Sequence, residues 1–226
     1  MCGIAGIINF NGKAVDLQNL ITATRAITHR GPDEEGYFVN REFSSETTGG
    51  MPPIRGVRGL GNAGLGHRRL SIIDLASGQQ PLCNEDGRIW ISFNGEIYNY
   101  QSLKKELEAK GHVFKTNSDT ETLVHAYEEW GESAVGKLRG MFAFVIWDEN
   151  KQELLMARDR LGKKPLYYSY ENGSFAFGSE LKVILETPGV ERSIDYTALS
   201  DYFSLLYVPS PRTIFKAIKK LPPAHY

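Results

Sequence analysis

The segment MFAFVIWD at positions 141–148 is apolar at almost every residue. A run with two apolar alternating faces is typical of a β-strand that is covered on both sides. Other segments with strand character are separated by amphipathic helical patterns, and they span residues 4–10, 65–75, 88–100, 153–159, 166–170 and 174–180. Because strands dominate and helices lie between and after them, we expect an α+β fold of packed layers.

Local signals place two helices and one hairpin. Asp16 is suited to cap the helix that follows it, and Ser118 with Glu121 has the S-x-x-E pattern of a capping box. Asn172 and Gly173 separate the last two strand segments and predict a type I′ turn. These signals agree with the layered α+β interpretation.

Charge and hydropathy exclude several classes of partner. The 226 residues have a net charge of -1 and a pI of about 6.5, which does not favour nucleic acid or an anionic membrane. No apolar run approaches the roughly 20 residues of a membrane span. The N-terminus has no basic region of the kind that begins a signal peptide.

The cysteines and histidines give little sign of a cross-linked or metal-bound fold. Cys2 and Cys83 are the only cysteines, so a disulfide framework is not expected and a reducing cytoplasm is the predicted compartment. Together with five histidines they show neither CxxC nor HExxH spacing. We therefore expect no structural zinc and no metal in the active site.

Cys2 directly follows the initiator methionine. A small second residue allows methionine removal, which would leave an α-amino group with a pKa near 7.7–8.0 beside a thiol with a pKa near 8.5. Covalent catalysis needs a nucleophile with an adjacent base, and a terminal cysteine supplies both. Taken alone, a single cysteine is more often a small buried apolar residue.

Asn94 and Gly95 follow directly on the strand in RIWISFNGEIYNY. A side-chain amide beside a backbone N–H can form an oxyanion hole. The alternative is a type I′ hairpin turn, for which Asn-Gly is the strongest short signal. The residues after Gly95 lead into a helix instead of a return strand, which weakens the turn interpretation.

Three charged residues could hold the two ends of an α-amino acid. The fork of Arg69 suits a carboxylate, whereas the carboxylate of Asp119 or Glu96 suits an ammonium group. Considered singly, each is more often a member of a surface ion pair or a helix-capping region.

Residues 41–64 are rich in Gly, Ser, Thr, Pro and Arg and show no periodicity. This composition predicts a long surface loop. Its arginines could form an anion site, but a solvated insertion is the more frequent case.

Seven motifs occur in order along almost the whole chain: MCGIAG at 1–6, HRGPD at 29–33, HRRLSIIDL at 67–75, NGEIYN at 94–99, SDTE at 118–121, GMFAF at 140–144 and ARDRLGKKPLYY at 157–168. Together they resemble the glutaminase half of the glutamine-hydrolysing asparagine synthetases. These are class II glutamine amidotransferases with an N-terminal nucleophile hydrolase fold. Among the class II amidotransferases, the motif NGEIYN resembles the asparagine synthetase branch more than the branches that form phosphoribosylamine or glucosamine phosphate.

The resemblance implies a four-layer αββα sandwich of two mainly antiparallel sheets. It also implies glutamine as the substrate and assigns a role to each candidate residue. These roles are the nucleophile (Cys2), the oxyanion-hole donors (Asn94 and Gly95), the binder of the α-carboxylate (Arg69) and the partners of the α-amino group (Glu96 and Asp119).

The resemblance also divides the chain. Residues 1–192 correspond to the glutaminase domain, and residues 193–226 correspond to a linker and the start of a synthetase domain that this chain lacks. No cofactor is expected for this chain; ATP and Mg²⁺ are expected only for the absent domain. That domain is the expected partner within one polypeptide, and a homodimer is a further option.

Two alternatives stay open at this stage. The same glutaminase could supply ammonia to another carboxylate acceptor, such as a cell-surface sugar acid or a peptide. The chain could also be a non-catalytic homologue that serves as a binding domain. The intact set of candidate residues argues against this second alternative.

Overall fold

The fold is described from a computed structural model that covers residues 1–40, 61–71 and 78–226 and the backbone of residues 54–55. The first sheet has the strand order β11-β9-β10-β1-β4-β2-β3. Its strands are antiparallel except that β3 pairs in parallel with β2. They are β1 (Gly3–Asn9), β2 (Glu34–Val39), β3 (Ile54–Arg55), β4 (Ala63–Arg69), β9 (Tyr167–Glu171), β10 (Ser174–Gly178) and β11 (Lys219–Lys220).

The second sheet has the order β5-β6-β7-β8 and is antiparallel throughout. Its strands are β5 (Leu82–Cys83), β6 (Ile89–Ile97), β7 (Gly140–Asp148) and β8 (Glu153–Arg158). Strand β5 pairs with β6 only near the start of β6, opposite Ile91 and Trp90.

The two sheets pack face to face through β7. On one face of this strand, Ala143, Val145 and Trp147 share a buried cluster with residues of the first sheet such as Ile4 and Phe177. On its other face, the side chains Phe142, Phe144 and Ile146 pack in the cluster beneath the helices. The prediction that residues 141–148 form a strand covered on both sides is therefore confirmed.

Helices cover the outer face of each sheet, which gives the expected αββα layers. Helices α1 (Leu17–Arg25) and α5 (Leu181–Leu185) lie on the first sheet, and helices α2 (Tyr100–Ala109) and α3 (Asp119–Trp130) lie on the second. Two further helices are the short α4 (Ala134–Lys137) and α6 (Tyr196–Leu205).

The local signals act largely as predicted. The Asp16 side chain accepts hydrogen bonds from the first turn of α1, and Ser118 accepts one from the backbone N–H of Glu121 at 3.3 Å. Asn172 and Gly173 have φ values of 53° and 75°, as a type I′ turn requires. The capping box is incomplete, because the Glu121 carboxylate accepts hydrogen bonds from the backbone N–H groups of Lys115 and Thr116 instead of from that of Ser118.

Three sequence boundaries differ from the prediction. The strand predicted over 65–75 ends at Arg69, and Asn94 and Gly95 lie inside β6 instead of following it. The end of the predicted 41–64 loop belongs to β4, because Gly64 pairs with Ile7 in β1 and with Val39 in β2. A Cβ atom on Gly64 would lie 3.0 Å from side-chain atoms of Leu20 and Val15, so the glycine allows close packing beneath α1. Most of the remaining loop lies outside the described residues.

The segment after residue 192 is partly integrated into the fold. Ile218 is buried in a cluster with Ala176 and Ile184, and β11 pairs with β9 at the edge of the first sheet. Two apolar residues of this segment thus find a partner surface within the chain: Ile218 and Phe215, which packs against the same cluster. Four others are exposed: Phe203, Leu205, Leu206 and Tyr207. Across the described residues, no helix combines the length and the apolar character needed to cross a membrane.

Candidate active site

A cavity of about 220 Å³ opens at one end of the sandwich. Cys2 precedes β1, Arg69 ends the neighbouring strand β4, and Asp119 begins α3. Because Gly3 pairs with Arg68, the register brings the start of β1 to the end of β4. The structure brings together all six residues predicted for the site, and they line this cavity: Cys2, Arg69, Asn94, Gly95, Glu96 and Asp119.

The Cys2 thiol donates a hydrogen bond to the carbonyl oxygen of Leu70 at 3.6 Å. Burial raises the pKa of this thiol, and the nearby charges of the N-terminus and Arg69 offset that effect only in part. A thiol with a raised pKa is mostly protonated at neutral pH, so it needs a base to become a nucleophile. In the chain that retains Met1, the nitrogen of Cys2 is an amide and cannot serve as that base.

Arg30 fixes the backbone of Cys2. Its Nε donates to the carbonyl oxygen of Cys2 at 3.0 Å, and its Nη1 forms an ion pair with Glu180 at 3.1 Å. The Asn94 amide forms hydrogen bonds with both Cys2 and Arg30 when it is oriented so that its Nδ2 donates to the Cys2 carbonyl oxygen and its Oδ1 accepts from Arg30 Nη2. Each distance is 3.3 Å. An amide nitrogen has two hydrogens, so Asn94 keeps a second donor.

The edge of β6 that faces away from β7 presents backbone N–H groups to the cavity. The N–H of Phe93 donates to the Gln80 side chain at 2.6 Å, and that of Ile97 donates to Asp119 Oδ2 at 2.9 Å. In a strand, N–H groups two residues apart point to the same edge. The Gly95 N–H therefore lies on this edge between the two, where β5 has already ended.

Gly95 also has a packing reason to be glycine. A Cβ atom at this position would lie 2.2 Å from the carbonyl oxygen of Met141 in β7. The Asn-Gly pair thus permits close strand packing and is not a turn. The hairpin interpretation of these two residues is excluded by the pairing of Asn94 with Ala143 and of Gly95 with Phe142.

Arg69 is buried at the cavity wall, and its Nη1 pairs with Glu34 Oε2 at 2.9 Å. This ion pair holds the guanidinium at the end of β4. A planar guanidinium that is held in this way is suited to a bidentate contact with a carboxylate.

Glu96 and Asp119 supply negative charge to the same cavity. Burial raises the pKa of both carboxyls, and the Asp119 carboxylate raises that of Glu96 further, while Lys164 acts in the opposite direction. Two partly desolvated carboxylates beside a cavity favour a bound cation, because its charge would offset their repulsion. A ligand ammonium group fits this requirement.

Sequence reasoning did not assign three residues that shape the site. Arg30 lies within the HRGPD motif but was given no role; Gln80 holds β6 from a distant loop; and Lys164 lines the cavity beside Glu96. Only Arg30 and Lys164 belong to quoted motifs. Nothing in the sequence near Gln80 signals its contact with β6.

The chain matches the sequence profile of the glutamine amidotransferase domain family over residues 1–48 and 52–226. The chain belongs to this family. The amidotransferase domain is 43% identical over 226 residues to asparagine synthetase [glutamine-hydrolyzing] 1 of Bacillus subtilis, covering 99% of this chain and 32% of that protein. It is 42% identical to the asparagine synthetase 3 of the same organism, covering 100% and 34%. The chain thus spans about a third of the length of these relatives.

The amidotransferase domain also resembles a solved structure of the glutamine phosphoribosylpyrophosphate amidotransferase from B. subtilis, complexed with ADP and GMP. The TM-score is 0.64 at 24% identity, covering 81% of this chain and 43% of that one. At this identity the likeness concerns the fold alone. It agrees with the two antiparallel sheets and outer helices described above.

Proposed function

We propose that the processed chain hydrolyses the side-chain amide of glutamine, with Cys2 as the nucleophile. The observation that carries this proposal is the convergence of a thiol, two donors and three charged residues on a single cavity. Met1 must be removed first, because the reaction then gains the α-amino group of Cys2 as its base.

The proposed reaction has two halves. The α-amino group takes the thiol proton, Sγ attacks the amide carbon, and Asn94 Nδ2 and the Gly95 N–H hold the developing oxyanion. The C–N bond then breaks and the ammonium form of the α-amino group returns the proton to the leaving ammonia. Water attacks the resulting γ-glutamyl thioester, which releases glutamate and restores the thiol.

Substrate recognition is proposed to use the two ends of the cavity. Arg69 binds the α-carboxylate of glutamine, and Glu96 and Asp119 bind its α-ammonium group. This distribution of charge selects a free α-amino acid, because a residue inside a peptide offers neither charged end.

The ammonia is proposed to serve ATP-dependent asparagine synthesis in a synthetase domain of the same polypeptide. The names of the relatives and the one-third coverage support this. The division of the chain into residues 1–192 and 193–226 stays a prediction from the resemblance. Exposed apolar residues such as Phe203, Leu206 and Tyr207 suit a covering surface. We assign no cofactor to the glutaminase step, and we expect ATP and Mg²⁺ to bind only in the synthetase domain. The proposed compartment is the cytoplasm. A homodimer stays a prediction.

The experiment measures glutamate and ammonia released from glutamine by protein whose intact mass lacks Met1. An electrophilic glutamine analogue is added in parallel, and the labelled peptide is identified by mass spectrometry. We expect equal release of both products and labelling of Cys2, with the same result in a Cys83→Ser control. Labelling of Cys83 alone, or no hydrolysis by correctly processed protein, would contradict the proposal.

Asn94→Ala is expected to lower kcat by roughly 10²- to 10³-fold, as for other oxyanion-hole donors. The alanine removes the donor but leaves the recognition residues in place. Steady-state kinetics with glutamine provide the measurement. A change confined to KM would remove Asn94 from this role.

Arg69→Lys is expected to raise KM for glutamine by roughly 10- to 100-fold, because a point charge cannot replace a bidentate contact to a carboxylate. The lysine can still pair with Glu34, so the fold should be retained and the thermal midpoint serves as the control. Wild-type kcat/KM in this variant would show that the α-carboxylate binds elsewhere.

Asp119→Asn should separate recognition from stability. Burial raises the pKa of this carboxyl in the folded state, so the folded protein loses stability as pH rises through that raised pKa. Asparagine keeps an acceptor for the Ile97 N–H without the charge. We expect a higher thermal midpoint at pH 7, a difference that fades as pH falls towards the ordinary aspartate range, and a raised KM for glutamine. A lowered thermal midpoint at pH 7 would refute the predicted effect on stability. An unchanged KM would refute the predicted role of Asp119 in glutamine binding.

A further inference from the structure

Four potential metal ligands meet on the helical side of the second sheet, away from the candidate active site. Glu85 lies in the turn between β5 and β6, His112 follows α2, and His125 and Glu128 lie one turn apart on α3. One ligand atom from each of the four lies within 4.8 Å of the others. Three separate chain segments thus direct their ligand atoms to one point.

His125 is the observation that points to a ligand. It is only 1% exposed, and among the described residues neither of its ring nitrogens has a partner in hydrogen-bonding geometry. A buried polar group without a partner is costly, and His125 is the one such residue in the described part of the chain that lies within a cluster of potential metal ligands. A bound cation would satisfy the nitrogen that faces the cluster.

The four histidine–carboxylate distances within the cluster suit a small tetrahedral ion. His125 Nδ1 lies 3.2 Å from Glu85 and 3.6 Å from Glu128, and His112 Nδ1 lies 3.3 Å and 3.7 Å from the same two carboxylates. Zinc bonds to nitrogen and oxygen are about 2.0–2.2 Å long, so the ligand atoms of a tetrahedral site are about 3.4 Å apart. The four measured distances lie around this value.

The outer surroundings match those of bound imidazoles. A histidine that coordinates through one nitrogen usually directs the other at a carboxylate or a carbonyl group. His125 Nε2 lies 3.7 Å from Glu121, and His112 Nε2 lies 3.6 Å from Glu129. The Glu121 carboxylate is itself held by backbone N–H groups of residues 115 and 116.

The charge of the cluster also calls for a cation. Within the part of the chain that the structure describes, the basic side chains close to the Glu85 and Glu128 carboxylates are the two histidines, and no lysine or arginine forms an ion pair with either carboxylate. Two carboxylates and two neutral imidazoles balance one divalent ion. Mixed imidazole and carboxylate ligands suit zinc better than Mg²⁺ or Ca²⁺, which prefer oxygen ligands alone.

We propose that Glu85, His112, His125 and Glu128 bind one Zn²⁺ ion as a structural site. The ion joins the β5–β6 turn and the α2–α3 connection to α3. The prediction of no zinc from the sequence considered short motifs, whereas these ligands come from three segments. His125 lies about 9 Å along α3 from Asp119, at a rise of about 1.5 Å per residue, so the ion would anchor the helix that begins in the candidate active site.

The test uses a Cys2→Ser background, because a free N-terminal cysteine is itself a strong chelator. The metal-free chain is titrated with Zn²⁺ against a chromophoric chelator, and its thermal midpoint is recorded with and without the ion. We expect one Zn²⁺ per chain and a midpoint raised by about 5–10 °C when the free ion is at 100 times its Kd. Co²⁺ should give the intense visible bands of a four-coordinate site.

Ligand variants and a matched control decide the assignment. His112→Asn and Glu128→Gln are expected to weaken Zn²⁺ binding by about 10-fold or more each. Glu132→Gln changes an exposed glutamate just beyond the same helix and should bind like the parent. These positions are preferred to the buried His125, whose replacement could prevent folding. Absence of stoichiometric binding in the parent, or parental affinity in a chain carrying both ligand substitutions, would overturn the proposal.

Discussion

The Cys2→Ala chain is expected to release no measurable glutamate from glutamine, a loss of about 10⁴-fold or more in kcat/KM. Alanine has no nucleophilic atom, so the thioester cannot form. The other residues of the cavity can still bind glutamine but cannot replace the covalent step. This is the largest effect that a single side chain of this domain should have.

The fold of this variant should be preserved. The Cys2 side chain is small and only partly buried, and its thiol donates to the carbonyl oxygen of Leu70. The thermal midpoint and a glutamine-binding measurement serve as controls, and Cys83→Ala is the matched cysteine variant. Residual hydrolysis at a tenth of the parental rate, or a loss as large in Cys83→Ala, would exclude Cys2 as the nucleophile.

A chain that keeps Met1 is expected to lose about 10²- to 10⁴-fold in kcat, the usual contribution of a general base. The nitrogen of Cys2 is then an amide, and the thiol keeps the raised pKa that burial gives it. Met1 itself lines the cavity and would restrict the substrate. An N-terminal extension should have the same effect.

This prediction is measured with one extended protein in two forms. In one form a protease releases Cys2 as the first residue, and in the other the extension stays. Glutamine turnover and the rate of Cys2 alkylation are followed against pH. In the uncleaved form alkylation should keep rising above the ordinary thiol range, because deprotonation occurs at the raised pKa. Full turnover by protein whose mass includes the extension would show that the α-amino group is not the base.

The sequence was sufficient to predict the layers and the list of candidate residues. The run at 141–148 was informative because apolar residues on both faces of a strand can be satisfied only between two layers. Asp16 and the Asn172-Gly173 pair were predictable because caps and tight turns are decided by neighbouring residues. The six site residues were found through ordered motifs, and the structure places them around one cavity.

The features that the sequence did not predict depend on contacts between distant parts of the chain. Asn94-Gly95 has the local preference of a turn, yet both residues pair with β7 and therefore lie within a strand. Gln80 reaches the N–H of Phe93 from a loop, and no sequence pattern links the two. The metal ligands proposed here are likewise separated along the chain, so no short motif joins them.

The edge of β6 that faces the cavity places one proposed donor beyond the reach of ordinary mutagenesis. Any residue at position 95 has the same main-chain N–H, and any residue larger than glycine would collide with β7 before it altered the donor. The group also has no rotamer to order, so its alignment is built in when the sheets assemble. Only an amide-to-ester replacement between residues 94 and 95, made by chemical synthesis or ligation, would remove this donor while every side chain stays in place.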